Sequence, residues 1–177
     1  MDDDRYAITA ADRAAWLARP RAAPVEVRLV EVTDANRSRV AALVTHHSQE
    51  RFVAPMARSF EDAADPGVEG GAPVVPWLRA IEADGEIAGF MMLADSRWPG
   101  EPPYLWRLLI DRRHQGRGIG TRAIGLLVER LRREGHERLR VSWVRDIGGP
   151  EPFYLGLGFR LTGDIEEGEH VGELQLD

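Results

Sequence analysis

The fold of this 177-residue chain is decided by one segment, Asp111-Arg112-Arg113-His114-Gln115-Gly116-Arg117-Gly118-Ile119-Gly120-Thr121. An apolar run at 104–110 precedes it and an amphipathic run at 122–133 follows it, an order that predicts a strand, a glycine-rich turn and a helix. Glycines let the backbone approach a ligand closely, because they carry no Cβ. The first amides of a helix have no partner within the helix and lie at the positive end of its dipole. We therefore expect a pyrophosphate-binding loop, to which the arginines of the segment add positive charge.

Two common nucleotide-binding loops fit this segment poorly. In the dinucleotide pattern G-x-G-x-x-G, the third glycine stands one place later than Gly120, and an acidic residue follows about 20 residues on. That place is basic here, from Arg138 to Arg140. The ATP-binding pattern requires Gly-Lys-Ser/Thr, and the chain contains no lysine. A glycine-rich turn that binds no ligand remains the alternative to a binding loop.

Composition limits the class of protein. The length suits one domain with a substantial core, and 44% hydrophobic with 29% charged residues is typical of a soluble globular chain. No apolar run approaches about 18 residues, so we expect no membrane span, and the acidic start Met1–Arg5 lacks the layout of a signal peptide. The chain has no cysteine, which is compatible with a cytoplasmic location, and we expect no metal site. The net charge of -6 argues against a nucleic-acid partner.

We divide the chain into an N-terminal appendage, residues 1–24, and one domain, residues 25–177. In the appendage, Thr9 is placed to cap a short helix, which the following prolines end. The apolar side of that helix carries Trp16 and Leu17. It has two places to pack, the core of its own domain or a second subunit, and the second arrangement would make a homodimer.

Hydrophobic periodicity predicts an α/β domain with a mixed central sheet. Strands are expected at 25–30, 77–83, 86–94, 104–111, 139–143, 159–161 and 171–176. Helices are expected after Thr33-Asp34, with Val40, Leu43 and Val44 on the apolar side, then from the glycine loop to Gly135, and at 153–157. The stretch 55–76 is expected to be a loop around a short helix at 60–64. Asp84-Gly85 signals a hairpin, and the strand at 104–111 has so few polar positions that we expect it to be central and covered on both faces.

Two motifs of the chain are those of a known family. Gln115-Gly116-Arg117-Gly118-Ile119-Gly120 matches Gln/Arg-x-x-Gly-x-Gly/Ala, the coenzyme A loop of the GNAT acetyltransferases, at every fixed position. Phe153-Tyr154-Leu155-Gly156-Leu157-Gly158-Phe159 is similar to the late family segment Phe/Leu-Tyr-x-x-x-Gly-Phe. The chain thus resembles the GNAT superfamily from about Glu26 to Asp177. The resemblance implies the acyl-CoA N-acyltransferase fold, a mixed β-sheet flanked by helices.

The resemblance also implies a reaction, acetyl transfer from the cosubstrate acetyl-CoA to an amine. Main-chain groups of Leu108, Leu109 and Ile110 would pair with the pantetheine arm, and the amide of Leu109 or Ile110 would hold the oxyanion. Tyr154 would protonate the departing thiolate. The pyrophosphate loop would comprise Gln115, Gly116, Arg117, Gly118, Ile119, Gly120 and Thr121.

A finer likeness concerns the acceptor. The stretch from Trp106 to Gly116, with the ending Phe159-x-x-Thr162-Gly163, is similar to bacterial diamine and polyamine N-acetyltransferases. It implies a small-molecule primary amine, a diamine or a polyamine, as substrate. Two alternatives stay open. One is an enzyme of the same family that acts on a peptide N-terminus, an amino acid or an amine antibiotic, and the other is a non-catalytic domain that binds a CoA thioester.

Two positions depart from the family pattern. Where some polyamine acetyltransferases have a glutamate base on the fourth strand, this chain has Trp106, which accepts no proton at neutral pH. Our first candidate for the base is therefore Glu82, followed by Glu101 and Asp146. Ile147 replaces an asparagine that contacts the coenzyme in many relatives, and the backbone of the glycines that follow could substitute for it.

Two polar clusters each have two interpretations. The adjacent His46 and His47 do not share a helix face, so they are poor joint metal ligands. The two interpretations of this pair are that it lines the acceptor cleft or that it is solvated at a helix end. The second cluster is acidic and either forms a solvated hairpin tip or attracts a polycation. Its members are Asp164, Glu166, Glu167 and Glu169.

Overall fold

The computed structural model describes residues 22–69, 72–95 and 101–177. The strands are β1 (Val27–Glu31), β2 (Val68–Glu69), β3 (Ala72–Pro73), β4 (Val75–Ala83), β5 (Glu86–Asp95), β6 (Tyr104–Ile110), β7 (Arg138–Trp143), β8 (Arg160–Glu166) and β9 (Glu169–Gln175). The helices are α1 (Asp34–Ala41), α2 (Met56–Ala64), α3 (Ile119–Arg133) and α4 (Glu151–Gly156), with a 3-10 turn at His47–Gln49. No helix among the described residues is long and apolar enough to cross a membrane. The helix expected in the appendage lies outside the described residues.

Seven strands form the central sheet, in the order β1-β4-β5-β6-β7-β9-β8. All neighbours are antiparallel except β6 and β7, which run parallel. Strands β2 and β3 form a separate small hairpin. This mixture of directions confirms the α/β fold with a mixed sheet that the order of elements predicts.

The hairpin between β4 and β5 is where its turn residues place it. Asp84 and Gly85 have φ angles of 51° and 84°, both in the left-handed region that a two-residue type I′ turn requires. Ala83 pairs with Glu86 directly beside the turn. The prediction from the Asp-Gly pair is confirmed.

Helices cover both faces of the sheet. On one face α3 packs through five buried residues, and on the other face α1 and α2 cover a second cluster that includes Val40 and Met56. Strand β5 joins the two, because its alternate side chains enter opposite clusters: Met91 lies in the first and Met92 in the second. The buried residues of α3 are Ile119, Ala123, Ile124, Leu127 and Leu131, as the helical spacing predicts.

Strand β6 is central, as expected, because it is the fourth of the seven strands, and its residues pack against both core clusters. Its cover is incomplete, however, and β5 is the strand that is buried on both faces. All residues of β5 from Ile87 to Ala94 are buried, whereas β6 buries only Leu105 and Leu109. The reason is that β6 pairs with β7 only at its first two residues, so the rest of the strand borders open space. That space is the candidate site.

The stretch expected to be a loop at 55–76 is more ordered than its composition suggests. Helix α2 begins at Met56, four residues before the expected helix, and β4 already begins at Val75. Met56 is 3% exposed and packs beside Leu43, which lies beyond the end of α1, whereas Val44 is exposed. Burial of Met56 therefore favours an earlier start of α2 than the local composition predicts. Leu43 is buried in the same cluster although α1 ends before it.

Candidate active site

Strand β6 separates from β7 at a β-bulge. Its register with β5 steps from Leu93↔Leu105 to Met92↔Arg107, so Trp106 is one extra residue on β6. The pairing of β6 with β7 stops at Leu105. Beyond the bulge a cleft of about 740 Å³ lies between the two strands and helix α3.

The main chain of β6 presents alternate residues to this cleft. The amide of Asp111 donates to a β5 carbonyl oxygen at 2.9 Å. Because backbone groups alternate in direction along a strand, Leu109 also faces β5, whereas Leu108 and Ile110 face the cleft and line it. The structure thus differs from the expectation for Leu109, whose backbone belongs to the sheet and whose side chain is buried in the second core cluster.

The glycine-rich loop leads from β6 into α3. Gly116 and Gly118 both have φ of 75°, a left-handed conformation that is unfavourable for residues with a Cβ. Gly118 is the N-cap of α3 and provides no capping side chain, so the first amides of the helix have no partner within it. Every expected loop residue except Arg117 lines the cleft: Gln115, Gly116, Gly118, Ile119, Gly120 and Thr121.

Arg117 points into the body of the protein, contrary to the expectation that its charge faces the pyrophosphate. Its guanidinium donates to the carbonyl oxygen of Ala22 at 2.7 Å and to Nδ1 of His114 at 2.9 Å, and it lies 3.9 Å from Asp84. Since His114 accepts this bond, its ring is neutral and its Nε2–H faces Glu86 at 3.8 Å. Burial lowers the pKa of His114, and the charge of Arg117 lowers it further. Arg117 therefore anchors the loop.

Asp111 organises the start of the loop, a role that the sequence analysis did not assign. Its side chain is 1% exposed. One oxygen accepts from the amide of Val44 at 3.2 Å, and the other accepts from the amide and Nε of Arg113 at 2.9 and 2.8 Å. The hydrogen bond to Asp111 raises the pKa of Arg113. The signal in the sequence that could have identified this role is the position of Asp111, an acidic residue between an apolar strand and a glycine-rich turn.

Tyr154 on α4 lines the same cleft. It is buried and stacks on Trp143, with ring centroids 5.2 Å apart, and it makes edge contacts with Phe153 and Phe159. Burial raises the pKa of the Tyr154 phenol well above its ordinary value, and the charge of Glu169 adds to the effect. The phenol therefore keeps its proton at neutral pH and can act as a donor.

The connection between α1 and α2 crosses to the far side of the cleft. Gln49 accepts a hydrogen bond from Nε2 of Gln115 at 2.7 Å. Arg51 pairs with the carboxylate of Asp146 at 3.0 Å and donates to the carbonyl oxygen of Ile147 at 2.7 Å. These contacts join the two walls of the cleft, and they hold Asp146 in an ion pair.

A second cavity, of about 730 Å³, adjoins the cleft and shares Trp106, Arg107, Ser142 and Glu169 with it. We call it the acidic cavity. It is lined by six carboxylates and three guanidinium groups: Asp62, Asp65, Glu101, Glu166, Glu167 and Glu169, with Arg58, Arg107 and Arg140. One carboxylate, that of Asp62, is paired with both Arg58 and Arg107. The excess of carboxylates gives the cavity a potential that attracts cations.

The structure does not bring Glu82, the first candidate for the base, to either cavity. Glu82 lies opposite Arg28 of β1 and forms an ion pair with it, and a base must reach the proton that it abstracts. Glu101 lines only the acidic cavity, and Trp106 lines both cavities. Glu82 therefore lies outside the candidate site.

The two polar clusters fall in different places. His46 lies 2.9 Å from the hydroxyl of Ser48 and its ring contacts that of His47, and neither histidine lines either cavity. Of the acidic cluster, all but Asp164 line the acidic cavity: Glu166, Glu167 and Glu169.

This fold and cleft define a class of protein. The chain matches the model of the acetyltransferase (GNAT) family over residues 40–159, which is more than half of its length and includes both walls of the cleft. The protein belongs to this family. The match confirms the class of enzyme that the glycine loop and the segment around Tyr154 predict.

Individual relatives are more distant. The chain is 29% identical over 107 residues to the uncharacterized N-acetyltransferase YesJ of Bacillus subtilis (strain 168). The aligned region covers 54% of this chain and 59% of that protein, so the chain spans less than two thirds of this relative's length. It is similar to the structure of an acetyltransferase from Thermus thermophilus, with a TM-score of 0.66, 20% identity and coverage of 86% of this chain and 99% of that one. It is also similar to the structure of an aminoglycoside 6'-N-acetyltransferase complexed with coenzyme A, with a TM-score of 0.65, 14% identity and coverage of 86% of this chain and 98% of that one. At such identities the solved structures establish the shared fold.

Proposed function

We propose that this protein transfers the acetyl group of acetyl-CoA to a primary amine of a small molecule. One observation carries the proposal: the open edge of β6, the N-terminus of α3 and Tyr154 converge on a single cleft. A thioester cosubstrate requires all three, namely a polar edge for the pantetheine amides, an anion site for the pyrophosphate and a hydrogen-bond donor for the sulfur. Membership of the family supports acetyl-CoA as the cosubstrate.

In this proposal the pantetheine arm extends along β6 as an added strand. The backbone groups of Leu108 and Ile110 face the cleft, and the carbonyl oxygen of Ile110 accepts from Nε2 of Gln115 at 3.0 Å. One of the two strand amides pairs with the pantetheine, and the other donates to the oxyanion that forms when the amine attacks. The pyrophosphate lies at the first amides of α3.

Tyr154 acts on the sulfur as the C–S bond breaks. A free thiol has a pKa of about 8.5, and burial holds the pKa of Tyr154 above the ordinary value of a phenol. Complete proton transfer from Tyr154 to the thiolate is therefore uphill by itself. It becomes favourable when the phenol regains a proton from the acylated nitrogen, so Tyr154 passes a proton from the nitrogen to the sulfur.

The acidic cavity supports a diamine or polyamine as the acceptor. A diamine that offers one amino group to the cleft carries a second ammonium group, and carboxylates beside the cleft would stabilise that charge. Glu166 is placed for this role, because its Oε2 accepts from the hydroxyl of Tyr104 at 2.9 Å and it lines the cavity. We therefore propose a dicationic amine as the preferred substrate.

The test is release of free coenzyme A from acetyl-CoA, read with a thiol reagent. The protein has no cysteine, so the reagent reports only the product. Putrescine and butylamine form a matched pair, because they differ in the second amino group, and spermidine, glutamate, an alanyl peptide and an aminoglycoside complete the panel. Faster release with putrescine than with butylamine is expected. Calorimetric binding of acetyl-CoA without release from any amine would instead indicate a domain that only binds the thioester.

A pair of variants on β8 tests the cavity itself. Glu166→Gln should raise the KM for putrescine several-fold and leave that for butylamine nearly unchanged, since a cation beside a lost carboxylate loses about 0.5–1 kcal/mol at an exposed site. Asp164→Asn removes the same charge two residues away, outside both cavities, and should change neither. Equal effects of the two variants would remove the acidic cavity from substrate recognition.

One observation favours a second acceptor class, an amino acid. Within the described part of the chain, Nε of Arg107 is buried without a hydrogen-bond partner, and Arg107 lines both cavities. A guanidinium in that place suits the carboxylate of an acceptor. Release that is faster with glutamate than with putrescine would favour this alternative.

A further inference from the structure

Glu169 lies where the cleft meets the acidic cavity. It is the first residue of β9 and lines both spaces. The other carboxylate that lines the cleft, Glu50, is exposed and does not line the acidic cavity. An amine that enters from the acidic cavity and attacks a thioester in the cleft must pass this junction.

The carboxylate of Glu169 is held by a side chain of β7. The hydroxyl of Ser142 donates to Oε2 of Glu169, and the next residue, Trp143, stacks on Tyr154 with ring centroids 5.2 Å apart. Glu169 and Tyr154 thus contact neighbouring residues of β7, and both line the cleft. Burial raises the pKa of Tyr154, and the charge of Glu169 raises it further.

The three carboxylates considered as bases from the sequence have different surroundings, and Glu101 lines only the acidic cavity. Glu82 and Asp146 are each held by an arginine, Arg28 and Arg51 respectively. The bond from Ser142 comes from an uncharged hydroxyl, which orients the carboxylate of Glu169 without neutralising it. A carboxylate that lines the cleft beside an uncharged hydroxyl donor is placed to take a proton from an ammonium substrate.

We propose that Glu169 is the catalytic base of the transfer, an inference that rests on the function proposed above. Its carboxylate takes one proton from the acceptor ammonium, and the neutral nitrogen then attacks the thioester carbonyl carbon. The C–N bond forms, the C–S bond breaks, and Tyr154 relays a second proton from the nitrogen to the sulfur. The products are the amide and free coenzyme A, and the proton left on Glu169 returns to solvent.

The experiment compares Glu169→Gln with Asp164→Asn, a variant on the same hairpin outside both cavities, using the most active amine of the panel. At pH 7.5, kcat of Glu169→Gln should fall about 100-fold, the usual scale for loss of a general base. The loss should shrink as the pH rises toward 9.5, because an alkyl ammonium with a pKa of about 10.4 supplies roughly ten times more neutral amine per pH unit. Asp164→Asn should keep the wild-type kcat.

Acetyl-CoA binding by calorimetry verifies that both variants are folded, and it should be unchanged. The inference is overturned if Glu169→Gln retains the wild-type kcat, or if its loss of kcat is the same at every pH, since a merely structural role would not depend on the free amine. A wild-type protein that releases no coenzyme A with any amine of the panel overturns the proposed function itself, and this inference with it.

Discussion

The cleft and the acidic cavity lie side by side but are built in different ways. The part of the cleft proposed for the coenzyme is made of backbone: the unpaired edge of β6 and the first amides of α3, reached through glycines with positive φ. The acidic cavity is made of side chains from five separate regions: α2 and the residues just after it, the residues before β6, β6 itself, β7 and the β8–β9 hairpin. The first is therefore recognisable in one contiguous segment, and the second has no sequence motif.

In the proposed function, this difference also separates the two substrates. Backbone amides would bind what every CoA thioester shares, the pyrophosphate and the pantetheine amides. The acceptor would be selected in the acidic cavity, because side chains can change without altering the fold. The predictions below test whether the two regions are as independent as this division implies.

The largest effect is expected at Gly118, because this residue is the N-cap of α3 and its backbone lines the cleft. A Cβ at Gly118 would meet no other atom, but its φ is 75°, so Gly118→Val imposes backbone strain and places a side chain at the pyrophosphate site. We expect the affinity for acetyl-CoA to fall at least about 100-fold, or about 2.7 kcal/mol, by calorimetry. The control is Gly125→Ala on the same helix, where a Cβ also meets no atom and affinity should not change. Equal affinity in both variants would contradict a backbone-built site.

The second prediction compares two tyrosine hydroxyls, one in each region. Tyr154→Phe should lower kcat by about 10- to 100-fold, since a general acid is removed but the thiolate is a good leaving group. Tyr104→Phe removes the hydroxyl that donates to Glu166, and it should raise the KM for putrescine with little effect on kcat. Steady-state kinetics with both substrates varied measures the two parameters. A replacement of Tyr154 that changes only KM would contradict its role as the proton donor to the sulfur.

Arg117 provides the third test, because the sequence and the structure assign it different roles. Arg117→Gln removes contacts to Ala22 and His114 and should lower the free energy of unfolding by about 1–3 kcal/mol. Its acetyl-CoA affinity should stay close to wild type, because the guanidinium does not line the cleft. Urea denaturation and calorimetry measure the two quantities. If Arg117→Gln instead lowered the affinity for acetyl-CoA and left the free energy of unfolding unchanged, Arg117 would bind the pyrophosphate, as the sequence predicts.

The smallest effect concerns the pH dependence of stability at His114. Burial lowers the folded-state pKa of His114 below its ordinary value, so the unfolded chain binds the proton first as the pH falls. The contribution to stability is complete above about pH 6.5, the ordinary pKa, and is lost as the pH falls through the lower folded-state value. The free energy of unfolding should therefore decline more steeply below that pH in the wild type than in His114→Gln. Parallel urea-unfolding series across this range would show no difference if His114 stays protonated in the fold.

Local signals predicted much of the fold. Asp84-Gly85 placed its hairpin, the spacing from Ile119 to Leu131 placed the buried face of α3, and Leu139, Val141 and Trp143 alternate as expected on β7. The failures share a cause, which is long-range contact. Strand β6 is apolar in sequence, yet its bulge and its separation from β7 leave five of its seven residues only partly buried. Helix α2 begins early because Met56 is buried against β5 and α1.

The strand, glycine loop and helix of the cleft can be predicted from local sequence, because positive φ, an uncapped helix start and an apolar strand are properties of consecutive residues. Which side chains face that cleft depends on tertiary packing. It turned Arg117 toward Ala22, kept Glu82 with Arg28, and brought Glu169 to the junction with the acidic cavity. The physical reason is that backbone conformation is set locally, whereas the meeting of side chains from distant segments depends on how the sheet and its helices pack.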